Sequence, residues 1–184
     1  MVKKLTKNTV DTPSSSSAMP TAVPVPSTLD SGVLPKLIVF DLDYTLWPFW
    51  VDTHVTPPLK ASSAHDHAKD RFGESYAFYQ EVPSILYALR ERGITVGVAS
   101  RTSSPDLARE MLRLLHIPDG DGKKKKSVEY FDHFEIYPGN KITHFTKLQK
   151  TTGFAYEDML FFDDESRNKN VESLGVHMKL VSEE

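Results

Sequence analysis

Cysteine is absent from the chain, which excludes disulfides, thiolate nucleophiles and thiolate metal sites. Its absence fits a reducing compartment, so a cytoplasmic location is expected. Long apolar runs are also missing. None approaches the ~20 residues that a helix needs to cross a bilayer, and no membrane association is expected. A basic excess is missing as well: 22 Lys and Arg against 25 Asp and Glu leave a formal charge of -3, giving no ground for a nucleic-acid partner. No apolar core follows the lysines near the N-terminus, so no secretory signal peptide is expected. What is there is an ordinary globular composition, 39% hydrophobic and 26% charged, in 184 residues. That length carries one domain with a sizeable core and is short for two.

Residues 1–33 differ from the rest. The run D-T-P-S-S-S-S-A-M-P-T-A-V-P-V-P-S-T is rich in Pro, Ser and Thr and shows no apolar period, so a disordered tail is expected. Its start is basic (Lys3, Lys4, Lys7) and nearly free of acids, which keeps organelle import open as a second reading; the lack of arginine weighs against it. From residue 34 to 184 short apolar runs alternate with helical patterns. L-I-V-F (37–40), I-T-V-G-V-A (94–99), F-E-I-Y (134–137) and M-L-F-F (159–162) read as strands. Between them, residues 82–93, 104–115 and 142–153 carry helical spacing, with Ser104 and Pro105 at one start and Gly93 and Gly153 at two ends. Residues 168–175 lead into a last run, V-H-M-K-L-V (176–181). The alternation predicts an α/β fold, a doubly wound parallel sheet.

The first strand ends on acids. K-L-I-V-F-D-L-D-Y-T-L-W places Asp41 and Asp43 two residues apart, so both side chains leave an extended chain on one face. Two such charges about 4 Å apart repel by about 4 kcal/mol at an effective dielectric near 20, so a positive partner is expected. Polar residues follow the other strands too: Ser100 and Arg101 after the second, Lys141 after the third, Asp163 and Asp164 after the fourth. In open α/β sheets ligands bind beyond the carboxyl ends of strands, so these groups can share one pocket. Clustered carboxylates suit a hard cation, magnesium above all when a phosphate shares the site. Serine, arginine and lysine are donors of the kind a phosphate needs.

D-L-D-Y-T resembles the DxDx(T/V) signature of the haloacid dehalogenase superfamily, and Ser100, Lys141 and Asp163-Asp164 match its further motifs in order. The stretches A-S-R-T, I-Y-P-G-N-K-I-T-H-F and F-F-D-D-E-S-R-N are similar to those of its eukaryotic magnesium-dependent phosphatases. The resemblance implies Asp41 as nucleophile and metal ligand. It makes Asp43 the general acid and base, with a backbone carbonyl on the metal, and Asp164 a further ligand with Asp163 in support. Ser100, the backbone N–H at Leu42 and Lys141 would hold the phosphoryl oxygens, and Arg101 and Trp50 would face the substrate. It implies a Mg²⁺-dependent phosphatase acting through an aspartyl-phosphate on phosphotyrosine or sugar phosphates, with a role in repair of glycated proteins.

A rival reading is a phosphoacceptor receiver domain, which also sets an acid pair, an aspartate, a hydroxyl and a lysine around magnesium. In a receiver the acid pair sits on the first strand, whereas here D-x-D comes first and D-D last. Neither interval between motifs is long enough for a full cap domain, so an open pocket on a monomer is expected, suited to a phosphorylated protein side chain or a sugar phosphate. Relatives continue beyond the last strand, so an uncovered sheet edge is also expected. Trp47 and Phe49 read as core, His65-Asp66-His67 as an exposed loop, and Lys123 to Lys126 as a solvated loop.

Overall fold

The computed structural model describes residues 32–182, so the expected tail falls, but for Gly32 and Val33, outside the described residues. Five parallel strands form the central sheet: β1 (Leu37–Phe40), β2 (Thr95–Ser100), β3 (His133–Ile136), β4 (Met159–Asp163) and β5 (His177–Leu180). Their spatial order is β5-β4-β1-β2-β3. The chain therefore builds outward from β1 on one side, then crosses back to build β4 and β5 on the other. The register pairs Phe40 with Val98 on β2 and with Phe162 on β4, which brings the ends of all three strands level.

Helices α1 (Val82–Glu91) and α2 (Pro105–Leu114) cover one face of the sheet. Their Leu86, Leu89, Ala108 and Met111 pack with Ile38, Phe40, Val96 and Val98. The other face buries Leu37, Val39, Ala99 and Phe161 against Phe145 and Leu148 of α3 (Lys141–Thr152). β1 is buried on both faces, which explains why it reads as an unbroken apolar run with no alternation. Each large side chain so buried contributes about 1.5–3 kcal/mol. Helix α3 starts where Asn140 accepts from the Ile142 N–H at 2.9 Å and stops at Gly153, whose φ of 72° is left-handed.

One feature differs from the expected pattern. Lys123 to Lys126 were expected as a loop, but Lys124–Lys126 pairs with His116–Pro118 in an antiparallel ribbon, its lysines exposed. Cross-strand pairing, not local composition, decides this. Residues 168–174 lie within a 3-10 segment, Ser166–Leu174, and Gly175 ends it. His65-Asp66-His67 is a loop as expected, though only Asp66 is well exposed, because His65 stacks on His116 with ring centroids 3.9 Å apart. Between β1 and α1 the chain forms one helical turn, Val51–His54, and a small three-stranded antiparallel sheet of two-residue strands. This insertion is too small to roof the pocket.

Candidate active site

The site lies beyond the carboxyl ends of β1, β2 and β4, at the point where the strand order reverses between β1 and β4. A cavity of about 150 Å³ there is lined by Asp41, Asp43, Trp50, Ser100, Arg101, Lys141 and Asp164, seven of the nine residues singled out from the sequence. The other two lie beside it. Leu42 buries its side chain completely, so only its backbone can serve the pocket. Asp163 is fully buried beneath the pocket.

Asp41 continues β1 by one more rung, its N–H donating to the Phe162 carbonyl at 2.9 Å. The chain then turns sharply: Tyr44 takes a left-handed φ of 54°, and the Leu46 N–H returns to the Leu42 carbonyl at 2.8 Å. Backbone strain of this kind gathers at functional sites. Asp43, inside this turn, lines the same cavity as Asp41. The Asp43 carboxylate accepts from Trp47 Nε1 at 2.7 Å and from the Val51 N–H at 3.2 Å. Trp47 is fully buried and stacks on Phe49, the expected core pair.

Lys141 enters from the first turn of α3 and is 1% exposed. Its ammonium meets Asp41 at 2.5 Å and Asp163 at 3.0 Å, and donates to the Ala99 carbonyl. All three donors of the ammonium are thereby used, which makes burial of the charge tolerable. Asp163 in turn accepts from both the Glu165 N–H (2.7 Å) and Asn168 Nδ2 (2.9 and 3.0 Å). Asn168 Oδ1 accepts from Arg101 at 3.1 Å, so one buried amide ties Arg101 to the support of Lys141.

Sequence reasoning missed Asn168, Asp52, Glu165 and Arg167, which line the cavity, as does Thr102, one of the polar residues that follow the second strand. Asp52 takes bonds from the Ser103 N–H (3.0 Å) and hydroxyl (2.8 Å), latching the Val51–His54 turn to the loop that carries Arg101. Trp50 stands at the rim, 48% exposed and edge-on to Tyr44.

The electrostatics are lopsided. Five carboxylates line the cavity against three cations, and Lys141 and Arg167 are already paired with acids. Burial raises Asp41 to about 7 against the pull of Lys141. Burial also raises Asp43 to about 6, with Asp52 and Asp164 adding to it, and Asp164 to about 6, with Asp163 adding. Such a set stays ionised at neutral pH only with more positive charge beside it. Among the described residues no three acidic or histidine side chains form a closed metal cage. The donor set instead fits magnesium, which takes one or two carboxylates and keeps open positions for water and phosphate. Asp41 and Asp164, with the Asp43 carbonyl, are the groups that would hold it.

A family model described as Acid Phosphatase matches residues 33–183. The chain is 50% identical over 144 residues to human Magnesium-dependent phosphatase 1, covering 78% of this chain and 76% of that protein. It is 46% identical over 143 residues to the HAD-like hydrolase superfamily protein P8B7.31 of Schizosaccharomyces pombe, covering 77% and 83%. In fold it resembles a HAD-family enzyme of Bacteroides thetaiotaomicron solved with magnesium and inorganic phosphate. That match has a TM-score of 0.55 at 13% identity, over 82% of this chain and 95% of that one. The parallel sheet and the placement of its acids define the haloacid dehalogenase class of α/β proteins. Within that class the chain belongs to the acid phosphatase family that includes the magnesium-dependent phosphatases.

Proposed function

We propose that this protein is a magnesium-dependent phosphatase that hydrolyses phosphomonoesters through an aspartyl-phosphate on Asp41. The observation that carries the proposal is the paired geometry of Asp41 and Asp43. One carboxylate is held against the buried Lys141, and the other is oriented by Trp47 and Val51 with a pKa near 6. A nucleophile should be ionised and fixed; a general acid should hold a proton close to working pH.

In the first step a carboxylate oxygen of Asp41 attacks phosphorus, and the ester oxygen leaves with the proton of Asp43. In the second, Asp43 takes a proton from water as the water oxygen attacks phosphorus, releasing inorganic phosphate and freeing Asp41. Ser100 and the Leu42 N–H orient the phosphoryl oxygens together with Lys141, which would turn one of its three N–H donors from its present partners to the phosphate. Bound magnesium would supply positive charge against the developing negative charge of the phosphoryl group.

The substrate reading follows from the rim. Trp50 and Arg101 both line the cavity, Trp50 is 48% exposed, no lid covers the cavity among the described residues, and a phosphate on a tyrosine ring or a sugar can reach it. Phosphotyrosine and sugar phosphates, including those on glycated proteins, are the proposed substrates. The test is phosphate release from a panel of both, with magnesium and with chelator. Activity is expected only with magnesium; full turnover in chelator would overturn the proposal.

A further inference from the structure

Ser100 and Lys141, the two groups that orient the phosphoryl oxygens, come from different elements, the end of β2 and the start of α3. A strap of two hydrogen bonds joins those elements. The Tyr137 N–H donates to the Ser100 carbonyl at 3.1 Å, and the Tyr137 carbonyl faces Nε2 of His144 at 3.1 Å. His144 lies three residues after Lys141 on α3, so the two side chains share a face of the helix. A carbonyl can only accept, so His144 carries its proton on Nε2 and leaves a bare lone pair on Nδ1.

That lone pair is buried and has no hydrogen-bond partner, and the residue is 0% exposed. Burial, and after it the Lys141 cation, push its pKa down to about 4, so the ring is neutral at working pH. An apolar side chain could fill this space without burying an unpaired ring nitrogen such as Nδ1. What it could not do is donate to Tyr137.

We propose that His144 is a positioning residue for phosphate: acting through the Tyr137 backbone, it fixes the start of α3, and with it Lys141, against Ser100. The proposal rests on the phosphatase reading above. The Tyr137 ring also stands edge-on to the imidazole, centroids 4.3 Å apart, so the strap is packed as well as bonded. Without the Nε2 donor, the start of α3 would lose one of its ties to β2, leaving the Tyr137 N–H on the Ser100 carbonyl and the Lys141 ammonium on the Ala99 carbonyl to hold it there. A shift of about 1 Å in a positioning group can cost on the order of 10²-fold in rate.

Three variants of the full chain test this: His144→Gln, His144→Asn and His144→Leu. Glutamine can place an amide nitrogen where Nε2 stands, asparagine falls short of it, and leucine has no donor. The readouts are kcat and KM with 4-nitrophenyl phosphate and magnesium, the inhibition constant of inorganic phosphate, and the melting temperature. The Leu and Asn variants should lose roughly 10- to 100-fold in kcat/KM and bind inorganic phosphate more weakly. The Gln variant should stay within a few-fold of the parent protein even if it melts earlier. If all three melt earlier but keep parental kcat/KM and phosphate inhibition, His144 is core filling and the proposal fails. It fails equally if Gln is as poor as Leu. Should the Leu variant not fold, Asn against Gln decides. A parent protein with no phosphatase activity would count against the functional reading instead, and calorimetric binding of inorganic phosphate to the same variants would still test the strap.

Discussion

At the scale of single residues, Asp41 and Asp43 are chemically alike but held differently, and substitution should separate them. Asp41→Asn removes the proposed nucleophile together with a charge for the metal, so neither turnover nor a phosphorylated enzyme should remain. Asp43→Asn leaves the backbone in place and keeps an oxygen for the Trp47 indole, 2.7 Å away in the parent, but it cannot exchange a proton. General acid–base catalysis is worth about 10²–10⁴-fold, so this variant should be slow by that factor on substrates with poor leaving groups and less impaired on acidic phenols. Because water activation is lost too, an aspartyl-phosphate should accumulate on Asp41. Acid quench followed by mass spectrometry would locate it; a label on Asp43 or Ser100 would reverse the assignment. These two acids were readable from sequence because an apolar run ending in carboxylates is costly without a cation. Asn168 was not. It sits in the polar stretch S-R-N-K-N, where nothing contrasts with its neighbours, and its partner Arg101 is 67 residues away.

At the scale of elements, the main strands and helices could be read because each buries a periodic or continuous apolar face. The insertion could not be read: strands two residues long carry no period, and one buried carboxylate gathers several of its backbone donors. The Asp70 carboxylate accepts from the N–H groups of Thr56 (3.2 Å), Phe72 (2.8 Å) and Glu74 (3.1 Å). Asp70→Ala strips all three donors of their partner at once. A destabilisation of about 1–3 kcal/mol is expected, confined to the insertion. Amide hydrogen exchange should quicken at Phe72 and Glu74 while β1 and β2 stay protected. Unchanged exchange at those two amides would show that the turn holds itself. The lysines of Lys124–Lys126 make the same point, since composition alone favours a loop and only the pairing with His116–Pro118 makes them a strand.

At the scale of the whole molecule, the three raised carboxyls link metal, protons and stability. Asp41, Asp43 and Asp164, raised from 3.8 to about 7, 6 and 6, bind protons more tightly in the native protein than in the unfolded chain. Their contribution to stability is therefore full below about pH 4 and is lost as pH rises through 6 and 7. His144, held down to about 4, works in the opposite direction over part of that range, so the melting curve of metal-free protein mixes both effects. The shift caused by magnesium separates them. Magnesium competes with protons for the carboxylates, so it should raise the melting temperature more at pH 7.5 than at pH 5. Equal shifts at the two pH values in thermal denaturation would show that the acids do not bind it. The placement of the site along the chain has a further consequence. Asp41 follows the first strand and Asp164 the fourth, with Ser100 and Lys141 between them, and each successive pair is separated by a crossover of the parallel sheet. No contiguous fragment shorter than that span can hold a working centre. A nascent chain must stay silent on the ribosome until its fourth strand has emerged and docked, which makes hydrolysis a signal that the sheet is assembled through β4.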